Sequence, residues 1–396
     1  MVVILICAAI IFSACTKDGD TIYTPDPADR ASTAPLVTVV YDPNALGDRG
    51  YNDLIYQGVE KAAHQYGLRT MQLSPASVNE GLTYLRMMLE TMAAPEDTTR
   101  RLLIVAAASY DDYLRQNNSR LDANPHADLL YLETDTPLAG KGSTFFMQYY
   151  GAMYEAGAIT PVEATDVLLV GANPLVKPVT DAIQAYTEGF LTSPINTSGR
   201  PEKKLVTTWL SQEVSGGFSI ADTTAIRLLT NQEWNADRHL LVPVCGGSAT
   251  NFRRLIEMLD IYDFVGIDCE AVSAHCNFSV VKHIDRAVEH CIEQWLSSSG
   301  MPKHQTFGLA DDYTGVVIHP YSNDSKSRFE NLLSDELRQR IHQEAIRKEE
   351  LKTKNEENRN AIEECQTEEL VDVAVRSILH SSFFILHFLP SGGRHH

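Results

Sequence analysis

From Leu36 onward, short apolar runs rich in β-branched residues alternate with amphipathic stretches of helical periodicity. LVTVVYD at 36–42 has the length and composition of a buried strand, and NDLIYQGVEKAAHQYG at 52–67 places its apolar residues on one helical face before a closing glycine. The same order continues to ADLLYLETD at 127–135. Strands and helices in this alternation form a parallel sheet with helices on both faces. The pattern therefore predicts an α/β fold with a doubly wound sheet.

The alternation then begins again, which predicts a second lobe of the same architecture. Its main apolar runs are VLLVGANP at 167–174, HLLVPVCGG at 239–247 and DFVGIDCE at 263–270. A length of 396 residues agrees with two lobes, because single cores rarely grow beyond about 250–300 residues. A first crossing after residue 140, with others near Lys282 and Phe307, would make a hinge of three strands.

These observations divide the chain into two lobes with flanking segments. The N-terminal lobe is assigned to 36–140 plus 282–305, and the C-terminal lobe to 141–281 plus 306–322. Residues 323–396 contain many charges and helix-forming residues, so they are predicted to form a charged helical tail.

The apolar N-terminal residues MVVILICAAIIFSA predict a signal peptide over 1–14. The run is shorter than the ~20 apolar residues that span a bilayer, and it fits the apolar region of a secretory leader. Small residues then precede Cys15, as in a lipoprotein cleavage box, so Cys15 is the predicted site of lipidation. The rest of 15–35 contains three prolines and is predicted to be an extended linker. A buried N-terminal strand is the alternative.

The charge and the motifs narrow the class of protein. A formal net charge of -19 excludes a nucleic-acid backbone as partner, because phosphates repel such a surface. The sequence contains no CxxC, HExxH, GxGxxG, P-loop or GxSxG pattern. It therefore predicts no metal, no cofactor and no catalytic residue, and it favours a protein that binds a small molecule.

Ligands of doubly wound sheets lie at the carboxyl ends of the strands, where loops and helix N-termini converge. The predicted strand ends are followed by polar or glycine residues suited to such a site. These candidates are Asp48, Tyr51, Asn52, Gly246, Gly247, Asp268 and Lys282. Each also has a structural explanation, as a helix cap, a loop or solvated strand residue, or a plain turn.

Four stretches resemble, in order and spacing, the basic membrane protein family of bacterial substrate-binding lipoproteins. They are YDPNALGDRGYND followed by Tyr56-Gln57-Gly58, VCGGSATNF at 244–252, VGIDCE at 265–270 and SVVKHIDRAVEHCIEQW at 279–295. The resemblance covers about Val37 to His319. It implies a two-lobed type I periplasmic-binding-protein fold that holds a small ligand, by analogy a purine nucleoside, for an ABC importer.

The resemblance also implies roles for residues around a nucleobase. Asp48 and Asn52 would meet the polar edges of the base. Tyr51 or Tyr56 would stack on one face of the base and Phe252 on the other, although Phe252 is also explained as a core residue at a helix start. Stacking of a base on an aromatic ring contributes about 1–3 kcal/mol.

Further implied roles concern the sugar. Asp268 would accept hydrogen bonds from the ribose diol, and Lys282 would donate to the sugar or hold Asp268. Gly246 and Gly247 would let the backbone approach the ligand.

The sequence thus predicts a lipid-anchored solute-binding protein outside the cytoplasm. Its expected partners are a small ligand, an ABC permease, and the membrane through the lipid anchor alone. A surface or periplasmic enzyme, or a sensory receptor that uses the same fold on another small molecule, is the alternative.

Overall fold

The computed structural model describes residues 33–214, 216–234, 239–260, 262–356 and 358–359. The predicted signal peptide, Cys15, most of the linker and the chain beyond 359 lie outside the described residues. Contacts within the chain define one compact unit that ends at Ile346 and another that begins at Arg347. In the second unit the described residues are helical, and Lys352 pairs with Glu356 at 3.2 Å, an ion pair at the four-residue spacing expected of a charged helix.

Strands and helices alternate along the first unit. The strands are β1 (Leu36–Val40), β2 (Arg69–Leu73), β3 (Arg101–Val105), β4 (Ala127–Leu132), β5 (Ser143–Met147), β6 (Asp166–Gly171), β7 (Lys204–Trp209), β8 (His239–Val244), β9 (Asp263–Phe264), β10 (Gly266–Asp268), β11 (Phe278–Lys282), β12 (His304–Phe307) and β13 (Thr314–Ile318). The α-helices are α1 (Tyr51–Tyr66), α2 (Val78–Met92), α3 (Asp111–Asn117), α4 (Tyr150–Ile159), α5 (Lys177–Thr192), α6 (Asp222–Thr230), α7 (Ser248–Leu259), α8 (Ile284–Leu296) and α9 (Asn323–Leu332). Residues 335–356 are helical as well.

The first lobe is built on a six-stranded parallel sheet with the order β12–β5–β4–β3–β1–β2. Successive side chains of a strand point to opposite faces, and β1 is buried at every position because both faces are covered. Val39 packs in a core with Ile55 of α1. Its neighbour Val40 packs in a second core with Leu85 of α2. The sheet is therefore doubly wound, as the alternation predicts.

The second lobe has a parallel sheet of order β7–β6–β8–β9 and a further sheet of order β10–β11–β13, in which β13 runs antiparallel to β11. Helix α4 is buried at every position and packs on α5. The two helices approach closely because each has a glycine at the contact. A Cβ atom on Gly157 would collide with the Tyr186 carbonyl oxygen, and one on Gly189 with the Tyr154 carbonyl oxygen.

Three segments cross between the lobes, and backbone hydrogen bonds join them side by side. The amide of Gln148 donates to the Phe307 carbonyl at 2.6 Å, and the amide of His283 donates to the Tyr313 carbonyl at 2.8 Å. The first crossing begins later than residue 140. Strand β5 pairs with β4 and β12, so its residues 143–147, assigned from the sequence to the C-terminal lobe, lie in the sheet of the first lobe.

The segment from 323 to 346 is not an exposed tail. Phe329, Leu333 and Ile341 are buried in the core of the second lobe. Ion pairs add to this packing: Arg328 contacts buried Glu163 at 2.7 Å, and His342 contacts buried Glu155 at 2.8 Å. The segment packs here because α4 is mostly apolar and buried at every position, so it needs cover beyond its own sheet and α5.

Candidate functional site

A cavity of about 510 Å³ lies between the two lobes of the first unit. Its volume falls within the range of about 300–1,000 Å³ typical of small-molecule sites. The walls come from the carboxyl ends of β1, β3 and β4 in the first lobe and of β7, β8, β10 and β11 in the second. This is the place in a doubly wound sheet where ligands bind.

Most of the residues predicted from the sequence line this cavity. They are Asp48, Tyr51, Asn52, Gly246, Gly247, Asp268 and Lys282. Tyr56 does not line it and is 40% exposed on α1. Phe252 is fully buried in the core of the second lobe, where it packs beneath β8, and it is therefore not placed to stack on a ligand in the cavity.

Asp48 organises the loop that leads into α1. Its carboxylate accepts hydrogen bonds from the amides of Gly50 at 2.9 Å, Asn52 at 3.0 Å and Asp53 at 3.2 Å, so it satisfies donors at the start of the helix. The Asn52 side-chain nitrogen also donates to Asp48, at 2.9 Å. That bond fixes the amide and leaves its other end, Asn52 Oδ1, buried without a hydrogen-bond partner among the described residues.

A buried acceptor without a donor costs about 1–3 kcal/mol. Asn52 lines the cavity, and its Oδ1 is such an acceptor. The Asp48 carboxylate, by contrast, mainly accepts hydrogen bonds from its own loop and from the start of α1.

Two aromatic rings line the cavity from opposite lobes. Tyr51 belongs to the first turn of α1, and Phe218 follows β7 in the second lobe. Phe218 was not among the residues predicted from the sequence, although the pattern Gly-Gly-Phe at 216–218, in the loop that follows a strand, is a usable signal. Gly246 makes room for this ring: it has φ +52°, and a Cβ atom there would lie 3.0 Å from Phe218 Cδ1. The glycine pair therefore admits an aromatic wall of the site.

Asp268 ends β10 in the left-handed backbone region, with φ +68°. Its amide donates to the Tyr149 hydroxyl at 3.3 Å, and that hydroxyl donates to the Val280 carbonyl at 3.1 Å. The Asp268 carboxylate accepts no hydrogen bond from the described residues, although it faces the cavity. Burial raises the pKa of Asp268 to about 6, Asp48 and Glu133 raise it as well, and Lys282 lowers it.

Lys282 lies at the end of β11, where the chain crosses to the first lobe. Its ammonium donates to Glu133 Oε1 at 3.3 Å and lies 4.5 Å from the centre of the Tyr149 ring. An ammonium has three donors, and this is the one hydrogen bond that the described residues give it. The remaining donors are available to a ligand.

Two acids of the first lobe also line the cavity, and neither was predicted from the sequence. Glu133 follows β4 with φ +56°, and Asp42 follows β1 and accepts from the Ser109 hydroxyl at 2.7 Å. Burial raises the pKa of Asp42, while the hydrogen bond from Ser109 lowers it. Both acids show the signal that identified Asp268, an acidic residue at the end of a buried strand.

The lobes contact each other beside the cavity. Cys269 Sγ donates to the Arg49 carbonyl at 2.9 Å, and Thr250 Oγ1 donates to the Asp48 carbonyl at 3.4 Å. Elsewhere along the cleft, Lys177 pairs with Asp135 at 3.3 Å. These contacts join residues of opposite lobes, so the arrangement is a closed one.

Ser279 lies 3.0 Å from His319 Nε2, but Ser279 has no exposed surface on which a substrate could bind. In the described ranges, no group of three or more His, Cys, Asp or Glu side chains is placed to bind a metal ion. No helix there is long and apolar enough to cross a membrane. The described cysteines, Cys245, Cys269, Cys276 and Cys291, are all free.

No protein-family model matches the sequence, and no curated protein matches it. Solved structures do resemble the fold. An ABC transporter system solute-binding protein from Aeropyrum pernix K1 is 16% identical with a TM-score of 0.63, and the match covers 80% of this chain and 92% of that one. One from Conexibacter woesei DSM 14684 is 12% identical with a TM-score of 0.54, over 79% and 96% of the two chains.

A transcriptional activator of the comK gene from Bacillus halodurans is also similar, at 12% identity and a TM-score of 0.55, over 78% of this chain and 96% of that one. At these identities the likeness concerns the fold and not the activity. The chain has the two-lobed, type I periplasmic-binding-protein fold expected from the sequence.

Proposed function

We propose that the protein is a solute-binding lipoprotein, similar to the basic membrane protein family, that captures a nucleoside between its lobes for an ABC-type importer. The observation that carries this proposal is the Asp268 carboxylate, which faces the interlobe cavity without a hydrogen-bond donor. A partly desolvated carboxylate is costly unless donors reach it. A ribose diol offers two donors side by side.

The other groups of the cavity suit the rest of a nucleoside. The rings of Tyr51 and Phe218 line opposite lobes and offer faces for a base. Asn52 Oδ1 offers an acceptor to a donor on the edge of the base. Lys282 keeps donors for a sugar or ring oxygen.

The charge of the cavity favours a nucleoside over a nucleotide. Asp42, Glu133 and Asp268 line it together with the single ammonium of Lys282. Carboxylates at these positions repel a phosphate group, whereas they do not repel the neutral hydroxyl and amino groups of a nucleoside.

Transport and anchoring rest on other observations. The leader pattern before Cys15 supports a lipid anchor outside the cytoplasm. Two of the similar structures are named as ABC-system solute-binding proteins, which supports an ABC permease as the partner.

The test is a thermal-shift and calorimetry panel on the full chain with nucleosides, free bases, ribose, amino acids and nucleoside monophosphates. A nucleoside at ~100 times its dissociation constant should stabilise the fold by about 2.7 kcal/mol. The monophosphate of the same nucleoside should bind at least tenfold more weakly. Stabilisation by amino acids or free sugars, with no effect of any nucleoside, would refute the proposal.

A matched pair of aromatic substitutions sharpens this test. Phe218→Ala removes a ring from the cavity and should weaken nucleoside binding by about tenfold, since stacking contributes about 1–3 kcal/mol. Tyr56→Ala removes a ring that lies outside the cavity and should leave the affinity unchanged.

A further inference from the structure

Three charged groups from both lobes line the cavity close enough to affect one another. Glu133 comes from the end of β4, whereas Asp268 and Lys282 come from adjacent strands of the second lobe. Asp268 pairs in register with Val281, the residue before Lys282. The lysine stem is long and flexible, and its ammonium is close enough to the Asp268 carboxylate to lower the pKa of that carboxyl. It nevertheless bonds to Glu133, which belongs to the other lobe.

Glu133 itself is held in place. Its backbone is in the left-handed region at φ +56°, and its second carboxylate oxygen accepts from the Met147 amide at 3.4 Å. The Tyr149 ring lies beneath the ammonium of Lys282, 4.5 Å from centroid to nitrogen. These contacts hold the ammonium on the side of Glu133, and no ion pair forms between Lys282 and Asp268 within 4.0 Å.

We propose that Glu133 is a positioning residue that keeps Lys282 from pairing with Asp268 and so leaves the Asp268 carboxylate open to the ligand. The part of this proposal that concerns the ligand rests on the proposed nucleoside function. A direct Lys282–Asp268 ion pair would occupy the acceptor that the ligand needs. Glu133 therefore acts on binding through Lys282, with no need to contact the ligand.

The titration of Asp268 reports where the ammonium lies, because an opposite charge in contact lowers a carboxyl pKa by about 1–3 units. The charged groups around Asp268 are Lys282, Asp48 and Glu133. The neighbouring Tyr51, Tyr149, Cys245 and Cys269 all have pKa values raised by burial, so they stay neutral while Asp268 titrates.

The experiment uses Glu133→Gln in the full chain without ligand, and follows the Asp268 carboxyl carbon by NMR across pH. Wild-type Asp268 should titrate near pH 6. In Glu133→Gln the freed ammonium should move to Asp268, so this carboxyl should titrate about one to three pH units lower. Glu90→Gln removes a carboxylate from an exposed ion pair with Arg120 and should change nothing.

Loss of the Glu133 charge alone would also lower this pKa, so the substitution is repeated in Lys282→Met. If the ammonium moves, the effect of Glu133→Gln should shrink markedly when Lys282 is absent. An equal effect in both backgrounds, or no effect in either, would overturn the proposal. The carboxyl resonance of Asp268 is assigned by its disappearance in Asp268→Asn.

Calorimetry with a nucleoside at pH 8 provides the second readout. Asp268 is ionised at this pH in both proteins, so a change in its protonation cannot alter the affinity. Competition from Lys282 predicts a loss of about tenfold in Glu133→Gln, and an unchanged affinity would overturn the proposal. If the wild type binds no nucleoside, the proposed function fails, while the ligand-free titration still decides the role of Glu133.

Discussion

Substitution of Asp268 tests the ligand site most directly, and the backbone dictates which substitution to use. The residue has φ +68°, a conformation that asparagine and aspartate adopt more readily than other non-glycine residues. Alanine there would add about 1–2 kcal/mol of backbone strain. Asp268→Asn keeps the shape and the backbone, and removes the charge together with one acceptor.

The expected loss follows from the hydrogen bonds to a ribose diol. Bonds to a charged acceptor contribute about 1.5–3 kcal/mol, and bonds between neutral groups contribute less. The asparagine side chain retains one neutral acceptor, its oxygen. Its NH2 group stands where the second hydroxyl needs an acceptor, and it can only donate. A net loss of about 1.5–3 kcal/mol corresponds to a roughly 10- to 150-fold weaker affinity for a ribonucleoside.

Isothermal titration at pH 8 with a ribonucleoside, its 2′-deoxy analogue and the free base provides the assay. The ribonucleoside should lose most and the free base least, because the base lacks the diol. Glu90→Gln is the control, since it removes an exposed carboxylate, paired with Arg120, that does not line the cavity. Equal losses for base and ribonucleoside, or unaffected ribonucleoside binding, would show that Asp268 is not the ribose acceptor.

The same substitution has a consequence for the ligand-free protein. The pKa of Asp268 is raised by burial from 3.8 to about 6, so the folded protein binds this proton more tightly than the unfolded chain does between these values. Stability therefore falls as pH rises from about 4 and through the folded pKa of about 6. Asp268→Asn should raise the melting temperature at pH 8 and not at pH 3.5.

Three further predictions concern packing, the C-terminal segment and the anchor. Gly157→Ala places a methyl group against the Tyr186 carbonyl and should lower the free energy of unfolding by about 1–3 kcal/mol in denaturant titrations; an unchanged value would mean that the two helices separate freely. The hydrogen bond to Glu155 raises the pKa of His342 above 6.5, so its stabilising contribution is complete below pH 6.5 and is lost as pH rises through the higher folded value. His342→Ala should therefore lower the melting temperature more at pH 6 than at pH 9, and equal losses would contradict this. Cys15→Ser should release the protein from the membrane fraction, and retention there would refute lipidation.

Most of the predicted ligand residues line the cavity because their prediction needed only local information. A buried strand followed by a glycine or polar residue marks a strand end, and the ends of parallel strands meet at one edge of a sheet. This reasoning identified Asp268 and Lys282 without any knowledge of their contacts. The same rule applies to Glu133, which directly follows β4.

Two phenylalanines show where local information fails. Phe252 and Phe218 both follow strands of the second lobe, yet the first is in the core and the second lines the cavity. The helical periodicity of α7 indicates that Phe252 lies on the apolar face of the helix. It does not indicate whether a sheet or the cleft lies opposite that face. Only the packing of α7 on β8 decides this.

The lobe boundaries and the packing of the C-terminal segment were also set by tertiary contacts that the local sequence does not contain. The apolar run of β5 is typical of a strand in either lobe, and its hydrogen bonds to β4 and β12 assign it to the first. The charges of residues 323–346 indicate a solvated helix, yet Phe329 and Ile341 are buried against the second lobe. Sequence periodicity determines which residues seek burial and how each element begins and ends. The partner that buries them is distant in the chain, so only the tertiary structure decides it.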